Sequence, residues 1–238
     1  MFAKPRKAST IAILKNRHDD ENSFQVLLLK RHAKDRFLPS YYVFPGGAID
    51  DQDIHDDSPD DCSFNQNCSR KEDREFDITL YAMGAIRETF EESGFLLARD
   101  RKGKFVSIIN DDDIRKYSKY RSMVYENRLS FREMLKREKL EPAFDAIHYI
   151  SRWITPVFSP IRYDTRFFAA LAPEDQYIIH DGIELVETRW MTPAEALAGY
   201  KSKEIKMVTP TISTLKFFSS FKTGEEVVNH LALNGGID

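Results

Sequence analysis

One short stretch limits what this chain can fold into more than any other. Residues 78–93 have the period of an amphipathic helix, and Gly94 follows as a helix-terminating glycine. The apolar side chains of the run share one face: Ala82, Met83, Ile86 and Phe90. Three carboxylates share the other face: Glu88, Glu91 and Glu92. The chain is therefore predicted to contain a helix that packs on a core and presents a cluster of glutamates.

The spacing of these glutamates indicates a cation site. Side chains at i, i+3 and i+4 lie about 5–6 Å apart on a helix, where like charges repel. A hard divalent cation such as Mg²⁺ removes that repulsion, because such ions prefer carboxylate oxygens. A solvated acidic face near a helix end is the alternative that this pattern alone leaves open.

The rest of the chain predicts an α+β protein. Short apolar runs indicate β-strands at 10–14, 24–29, 41–44, 150–155, 163–171 and 184–191, with a further strand starting at 95–97. Residues 111–149 look mainly helical, and further helices are predicted from Pro193 onward, near 210–221 and at 224–232. No linker or repeat divides the sequence. We expect one domain over residues 1–238, with an acidic loop insertion at 51–77 and a helical insertion at 111–149.

Charge is distributed unevenly along the chain. The net charge is −3, but residues 50–77 alone carry −8 and the remainder carries +5. This balance does not favour a nucleic-acid partner, and no apolar run reaches the ~20 residues of a membrane-spanning helix. The two cysteines, Cys62 and Cys68, are interpreted as free thiols in a loop. We expect a cytoplasmic protein without a membrane partner.

The turn Phe44-Pro45-Gly46-Gly47 together with Arg87-Glu88-x-x-Glu91-Glu92-x-Gly94 resembles the signature of the Nudix hydrolases, Gx5Ex7REUxEExGU. In that pattern fourteen positions separate the glycine from the arginine, whereas 40 separate Gly47 from Arg87, so 26 extra residues interrupt the motif. The upstream glutamate of the family falls on Asp53 by spacing from Gly47, or on Thr79 counted back from Arg87.

The resemblance implies a fold and a set of site residues. It implies a three-layer α/β/α sandwich with a mixed sheet, and Mg²⁺ or Mn²⁺ held by the three glutamates and the Gly47 carbonyl. Arg87 would anchor the glutamates. Glu91 and the distal Glu184 are the candidates for the catalytic carboxylate, with Glu187 as the second choice to Glu184.

A basic segment before the glycine turn resembles the coenzyme A motif of CoA-cleaving Nudix enzymes. Lys30, Arg31, Lys34 and Arg36 lead to this turn, although Leu29, His32 and Ser40 depart from the motif. Three features resemble those of the peroxisomal-type coenzyme A diphosphatase branch. They are the interruption of the motif, the RETFEESG form of its helix and the segment 162–168. The predicted substrate-binding residues are Lys30, Arg31, Lys34, Arg36, Arg162 and Arg166.

The resemblance therefore implies metal-dependent cleavage of a diphosphate in a small nucleotide substrate, first of all CoA or acyl-CoA. Hydrolysis of ADP-ribose, a nucleotide sugar or a dinucleoside polyphosphate is the alternative within the same chemistry. A nucleotide-sensing Nudix module without catalysis and a protein-interaction domain remain open as other classes. The 111–149 helices could cap the site or form the interface of a homodimer. The acidic insertion is expected to be mobile or to point outward, because it would repel a polyanionic substrate.

Overall fold

The computed structural model of the chain describes residues 3–17, 19–20, 22–35, 37–53, 75–176 and 185–237. The predictions for Arg36, for Glu184, for both cysteines and for most of the acidic insertion fall outside these residues.

A seven-stranded mixed sheet forms the centre of the fold. Its strands are β1 (Arg6–Asn16), β2 (Phe24–Arg31), β3 (Tyr42–Val43), β4 (Gly46–Ala48), β7 (His148–Ile154), β8 (Tyr163–Leu171) and β9 (Leu185–Met191). The order is β3-β2-β1-β8-β7, with β4 paired to β1 and β9 paired to β2. Only the long β1–β8 pair is parallel among the described pairings of this sheet. Two short strands, β5 (Ala98–Arg99) and β6 (Glu141–Pro142), pair separately.

Within the described residues, six α-helices accompany the sheet: α1 (Glu75–Ser93), α2 (Asp111–Tyr125), α3 (Phe131–Glu138), α4 (Pro193–Lys201), α5 (Thr209–Phe218) and α6 (Gly224–Asn234). Two predicted helix ends are confirmed. Gly94 has a φ of 80°, the left-handed conformation typical of a residue just beyond a helix. Thr192 caps α4, accepting a hydrogen bond from the amide of Glu195, whose side chain accepts in return from the Thr192 amide.

The side chains of β1 show why the fold has three layers. Ile11 and Ile13 point to one face of the sheet, where they belong to a core shared with α1, α2 and α3. Ala12 and Leu14 point to the opposite face, into a core shared with α4, α5 and α6. Because neighbouring residues of a strand face opposite sides, a strand that is apolar throughout must be covered on both. The predicted α/β/α sandwich is confirmed.

Two sequence predictions differ from the structure. Residues 95–97 were expected to start a strand, but the strand β5 begins only at Ala98. The amide of Leu96 donates to the Gln176 side chain at 2.8 Å, and the Leu96 carbonyl accepts from the same side chain at 3.0 Å. The Gln176 side chain thus replaces a partner strand. Segment 111–149 contains α2 and α3, but its last part forms β6, a 3-10 turn at Phe144–Ala146 and the start of β7.

The beginning of the acidic insertion is not the surface loop that was predicted. Residues Asp51–Asp53 form a 3-10 turn, and Asp53 is only 1% exposed. At the other end of the insertion, α1 already begins at Glu75. The prediction that the segment is mobile or points outward concerns mainly residues 54–74, outside the described part of the chain.

Candidate metal and diphosphate site

The glycine turn and the glutamate helix meet directly. Gly47 lies in β4, opposite Ser9 of β1, and the side chain of Glu88 reaches it from α1. A Cβ atom on Gly47 would lie 2.5 Å from the carboxyl carbon of Glu88 and 2.6 Å from each of its oxygens. The missing side chain at Gly47 therefore allows the carboxylate of Glu88 to lie against the backbone of the turn.

Arg87 connects the parts of the interrupted motif. Its guanidinium, 4% exposed, donates from Nε and Nη2 to the two carboxylate oxygens of Asp53 at 2.8 and 2.9 Å. Nη2 also donates to the Ala48 carbonyl at 2.9 Å. Nη1 donates to Glu88 at 2.9 Å and to Glu91 at 3.0 Å. Of the two positions that spacing left open for the upstream acid, Asp53 is the one whose carboxylate pairs with the arginine.

Glu92 is held on the turn itself. Its carboxylate accepts a hydrogen bond from the amide of Gly46 at 2.9 Å. All three glutamates of the helix thus meet the arginine or the glycine turn, and the structure brings these predicted metal-site residues together.

Burial and paired charges act in opposite directions on the pKa values of the cluster. Burial, reinforced by the charge of Glu91, raises the pKa of Glu88 to about 7, although the Arg87 charge acts in the opposite direction. Burial alone would lower the pKa of Arg87. The hydrogen bond to Asp53 and the charges of Glu88 and Asp53 raise this pKa above its ordinary value instead, so the guanidinium stays charged.

The donor set suits a hard divalent cation. The carboxylates of Asp53, Glu88 and Glu91 bond to one guanidinium, and that of Glu92 lies on the adjoining glycine turn. Such oxygens are the ligands that Mg²⁺ prefers. Within the described ranges, no three His, Cys, Asp or Glu side chains already stand as a metal-binding group. The carboxylates instead bond to Arg87 and to the Gly46 amide. Coordination would therefore require the glutamates to exchange some of these hydrogen bonds for the cation.

Among the described residues of the predicted phosphate-binding segment, Lys30 and Arg31 contact nearby groups of the chain and Lys34 is exposed. Lys30 lies 3.4 Å from the carboxylate of Glu187 and over the ring of Tyr42. Arg31 donates to the carbonyl of Phe37 and pairs with Asp35 at 3.2 Å. Lys34 is exposed to solvent. Phe37 packs edge-on against Tyr163 of β8, with ring centroids 5.1 Å apart, so this segment reaches the start of β8.

The structure argues against a substrate contact by Arg166 and leaves that of Arg162 untested. Arg162 donates to the backbone carbonyls of Thr155 and Ala3, which ties the chain together at the β7–β8 turn. Arg166 is 2% exposed, pairs with Asp164 at 2.7 Å and lies over the Tyr81 ring. The guanidinium of Arg166 is buried in this way and cannot meet a ligand, so its prediction is corrected to a structural role. Arg162 is only half-buried, and its substrate contact stays a prediction.

Glu187, the second-choice distal carboxylate, is also engaged elsewhere. It accepts hydrogen bonds from Tyr42 at 2.7 Å and from Arg189 at 2.5 Å. These two hydrogen bonds lower the pKa of Glu187 below its ordinary value, which makes it a weak base. The first choice, Glu184, lies outside the described residues.

Sequence reasoning missed two arginines of the helical insertion. Arg121 of α2 and Arg132 of α3 both donate to backbone carbonyls of the motif. No motif contains them, and no local pattern distinguishes them from the other basic residues of these helices.

Comparison with known proteins identifies the family. The family model of the NUDT19 Nudix domain matches residues 62–217. The chain belongs to this Nudix family. Nudix hydrolases use divalent metal ions, in agreement with the donor set formed by the three glutamates.

Three relatives document the similarity. The chain is 31% identical to acyl-coenzyme A diphosphatase NUDT19 of Xenopus laevis, over 87% of this chain and 62% of that protein. It is 25% identical to the Homo sapiens protein of the same name, over 83% and 61%. The chain thus spans about three fifths of the length of these curated relatives. A crystal structure of a NUDIX hydrolase from Alicyclobacillus acidocaldarius superposes with a TM-score of 0.74 at 27% identity, over 96% of this chain and 97% of the other.

None of the helices in the described part of the Nudix chain has the length and apolar character needed to cross a membrane.

Proposed function

We propose that this chain is a metal-dependent Nudix diphosphatase that cleaves coenzyme A or acyl-CoA to 3′,5′-ADP and 4′-phosphopantetheine or its acyl form. The observation that carries the proposal is the Asp53–Arg87 pair, which joins the two halves of the interrupted motif beside Glu88 and Glu91. The choice of substrate rests on the relatives named acyl-coenzyme A diphosphatase and on the basic segment before the turn.

The glutamates and the Gly47 carbonyl would hold the divalent ion, Mg²⁺ or Mn²⁺. When bound, such an ion neutralises phosphate oxygens and lowers the pKa of a water molecule. Arg87 keeps the carboxylates of Glu88 and Glu91 in place through Nη1. It does not contact the substrate in this assignment, because its guanidinium is 4% exposed and each of its three nitrogen atoms donates to the chain itself.

Proton transfer is assigned to a carboxylate. Glu91 accepts the proton of the attacking water while Arg87 holds its Oε1, and Glu184 is the alternative base. The resulting hydroxide attacks one phosphorus in line, the bridging P–O bond of the diphosphate breaks, and the leaving phosphate departs. Each product then carries one of the two phosphates, and water has supplied the new oxygen.

Recognition of CoA is assigned to the basic segment. Lys30, Arg31, Lys34 and Arg36 place four positive charges shortly before the glycine turn in the sequence. CoA carries a diphosphate and a 3′-phosphate, and arginine binds phosphate through planar, two-pronged contacts. Arg166 is left out of this assignment.

A substrate panel tests the proposal. The chain is incubated with CoA, acetyl-CoA, ADP-ribose, a nucleotide sugar and a dinucleoside polyphosphate, each with Mg²⁺, with Mn²⁺ and with EDTA. We expect metal-dependent formation of 3′,5′-ADP from the CoA substrates at the highest rate. Preferential cleavage of another member would overturn the CoA assignment but keep the chemistry, and binding without cleavage would support a sensing module instead. The cytoplasmic location and a homodimer stay predictions from the sequence.

A further inference from the structure

The helical insertion lies against both halves of the interrupted motif. Arg132 of α3 donates from Nε to the Gln52 carbonyl at 3.0 Å and from Nη2 to the Asp53 carbonyl at 2.8 Å. The amide of Phe131, at the start of the same helix, donates to the Gln52 side chain at 3.1 Å. The turn that presents Asp53 to Arg87 is thus held from outside by α3.

The second half of the motif, the glutamate helix α1, is held by α2. Arg121, 4% exposed, donates from Nε to the Glu91 carbonyl at 2.6 Å and from Nη2 to the Glu92 carbonyl at 2.9 Å. These carbonyls belong to the last turn of α1, where a helix leaves its carbonyl groups without helical partners.

This end of α1 needs a cation from elsewhere. The C-terminus of a helix carries partial negative charge, and two of the glutamates stand in that same turn. The last turn of α1 contains no basic residue of its own within the described helix. Arg121 supplies the positive charge and holds the carbonyls of Glu91 and Glu92 in place.

The two arginines act from one unit. α2 and α3 are connected through Glu138, which pairs with Lys116 at 2.9 Å and accepts from the Tyr120 hydroxyl at 2.9 Å. The connected helix pair therefore contacts the turn before the 26-residue interruption and the helix after it.

We propose that the α2–α3 pair is a positioning element of the metal site, in which Arg121 and Arg132 hold the two separated parts of the motif in register. It compensates for the lost continuity of the chain between Asp53 and α1. Arg121 is a positioning residue: it acts on the glutamates through their backbone and contacts no reacting atom. The inference rests on the proposed function only in taking these glutamates as the metal ligands.

Mn²⁺ affinity, measured by calorimetric titration of the full chain, tests this proposal without depending on turnover. Removal of groups that orient metal ligands weakens affinity by about 10- to 100-fold. We expect Arg121→Ala to lower the Mn²⁺ affinity by about tenfold and Arg121→Lys to lie between this variant and the wild type. Arg132→Ala should weaken binding in the same direction. Cleavage of CoA by Arg121→Ala should recover at high Mn²⁺ concentration.

Matched controls separate positioning from general loss of stability. Arg115→Ala removes an arginine from the same helix that is 71% exposed and pairs with Asp112, and it should bind Mn²⁺ like the wild type. Leu231→Ala creates a cavity in the buried face of α6, in the core on the other side of the sheet. It should lower the melting temperature without changing the Mn²⁺ affinity of the folded protein.

Equal Mn²⁺ affinity of Arg121→Ala and wild type would overturn the proposal, and so would an equal loss of affinity in Leu231→Ala. A wild-type chain that binds Mn²⁺ but cleaves no CoA would contradict the proposed function instead. The comparison of affinities would in that case still decide the role of Arg121.

Discussion

Asp53 and Arg87 form a buried ion pair through two parallel hydrogen bonds of 2.8 and 2.9 Å, although the interruption of the motif lies between them. Asp53 is the residue that keeps the family spacing from Gly47, and Arg87 is the residue that keeps the spacing to the glutamates. The extra residues of the chain therefore lie between this acid and the arginine that it fixes. The two parts of the motif are separated in sequence but contact each other in the folded structure.

Removing the acid of this pair should strongly destabilise the fold. Asp53→Asn removes the charge of the most buried of the three carboxylates that pair with the Arg87 guanidinium, and breaking a buried pair costs about 3–5 kcal/mol. Urea unfolding measures the loss. The matched control is Asp145→Asn, since Asp145 pairs with Arg99 at the surface, where a loss of at most about 1 kcal/mol is expected. Similar losses for both variants would contradict the role assigned to the pair.

Gly84 allows the turn with Asp53 to approach α1. A Cβ atom there would lie 2.5 Å from Ile49 Cδ1 and 3.1 Å from the Oδ2 of Asp53. Glycine in a helix interior is otherwise less favourable than alanine by about 1 kcal/mol. We nevertheless expect Gly84→Ala to destabilise the protein by about 1–3 kcal/mol through overpacking.

Gly199 of α4 provides the control for this glycine. Its added Cβ would meet Ile205 only at ordinary contact distances of 3.4 and 3.5 Å. Gly199→Ala should therefore leave the free energy of unfolding unchanged or raise it. A stabilising Gly84→Ala in the same measurement would refute the close approach.

The ion pairs of Asp164 should make stability depend on acidic pH. Burial alone raises the pKa of Asp164, but hydrogen bonds from Arg152 and the charges of Arg166 and Arg152 outweigh it, so the net pKa is lowered. A carboxyl whose pKa is lower in the folded state stabilises the fold fully above its unfolded pKa, about 3.9 for Asp. This contribution is lost as the pH falls through the lower, folded value.

This direction of the pH dependence is checked by measuring the free energy of unfolding of the wild type and of Asp164→Asn between about pH 6 and pH 2. The wild type should be the more stable at the upper end. The difference should shrink toward zero at the lower end, because the protonated acid then resembles the amide. A difference that does not change with pH would exclude this origin.

Substitution of Lys34 tests whether the basic segment binds the substrate, at a position where no effect on stability is expected. Because Lys34 is exposed, Lys34→Ala should leave the melting temperature unchanged. Loss of one exposed phosphate contact should raise the KM for CoA by about two- to fivefold with kcat unchanged, and added salt should reduce the difference. Lys136→Ala, an exposed lysine of α3, should behave like the wild type. Equal KM values for both lysine variants would remove Lys34 from the substrate site.

Local patterns were sufficient for much of the fold. The strand at Tyr163–Leu171 and the buried face of α1 follow from runs and periods of apolar residues, and both are confirmed. The strand expected at 95–97 fails because a distant side chain, that of Gln176, takes the backbone hydrogen bonds that a strand partner would have supplied. No sequence pattern near residues 95–97 predicts that contact.

The site was predictable where a motif fixes the spacing and not where it depends on tertiary contacts. The glutamates and Gly47 come from the motif, while the choice between Asp53 and Thr79 required the position of the turn. Arg166 looks like a surface arginine in sequence, yet packing over Tyr81 buries it. Arg121 could not be found at all, since its partners are backbone carbonyls about thirty residues away that carry no sequence signal.

The most direct test of the account compares the wild type with Glu92→Gln on CoA, with Mg²⁺ or Mn²⁺, by chromatography of the products. The glutamine keeps an acceptor for the Gly46 amide, which now donates to Glu92 at 2.9 Å, so the melting temperature should not change. The wild type should release 3′,5′-ADP and 4′-phosphopantetheine only with metal, and Glu92→Gln should release neither. Metal-dependent cleavage by Glu92→Gln at the wild-type rate would contradict the account.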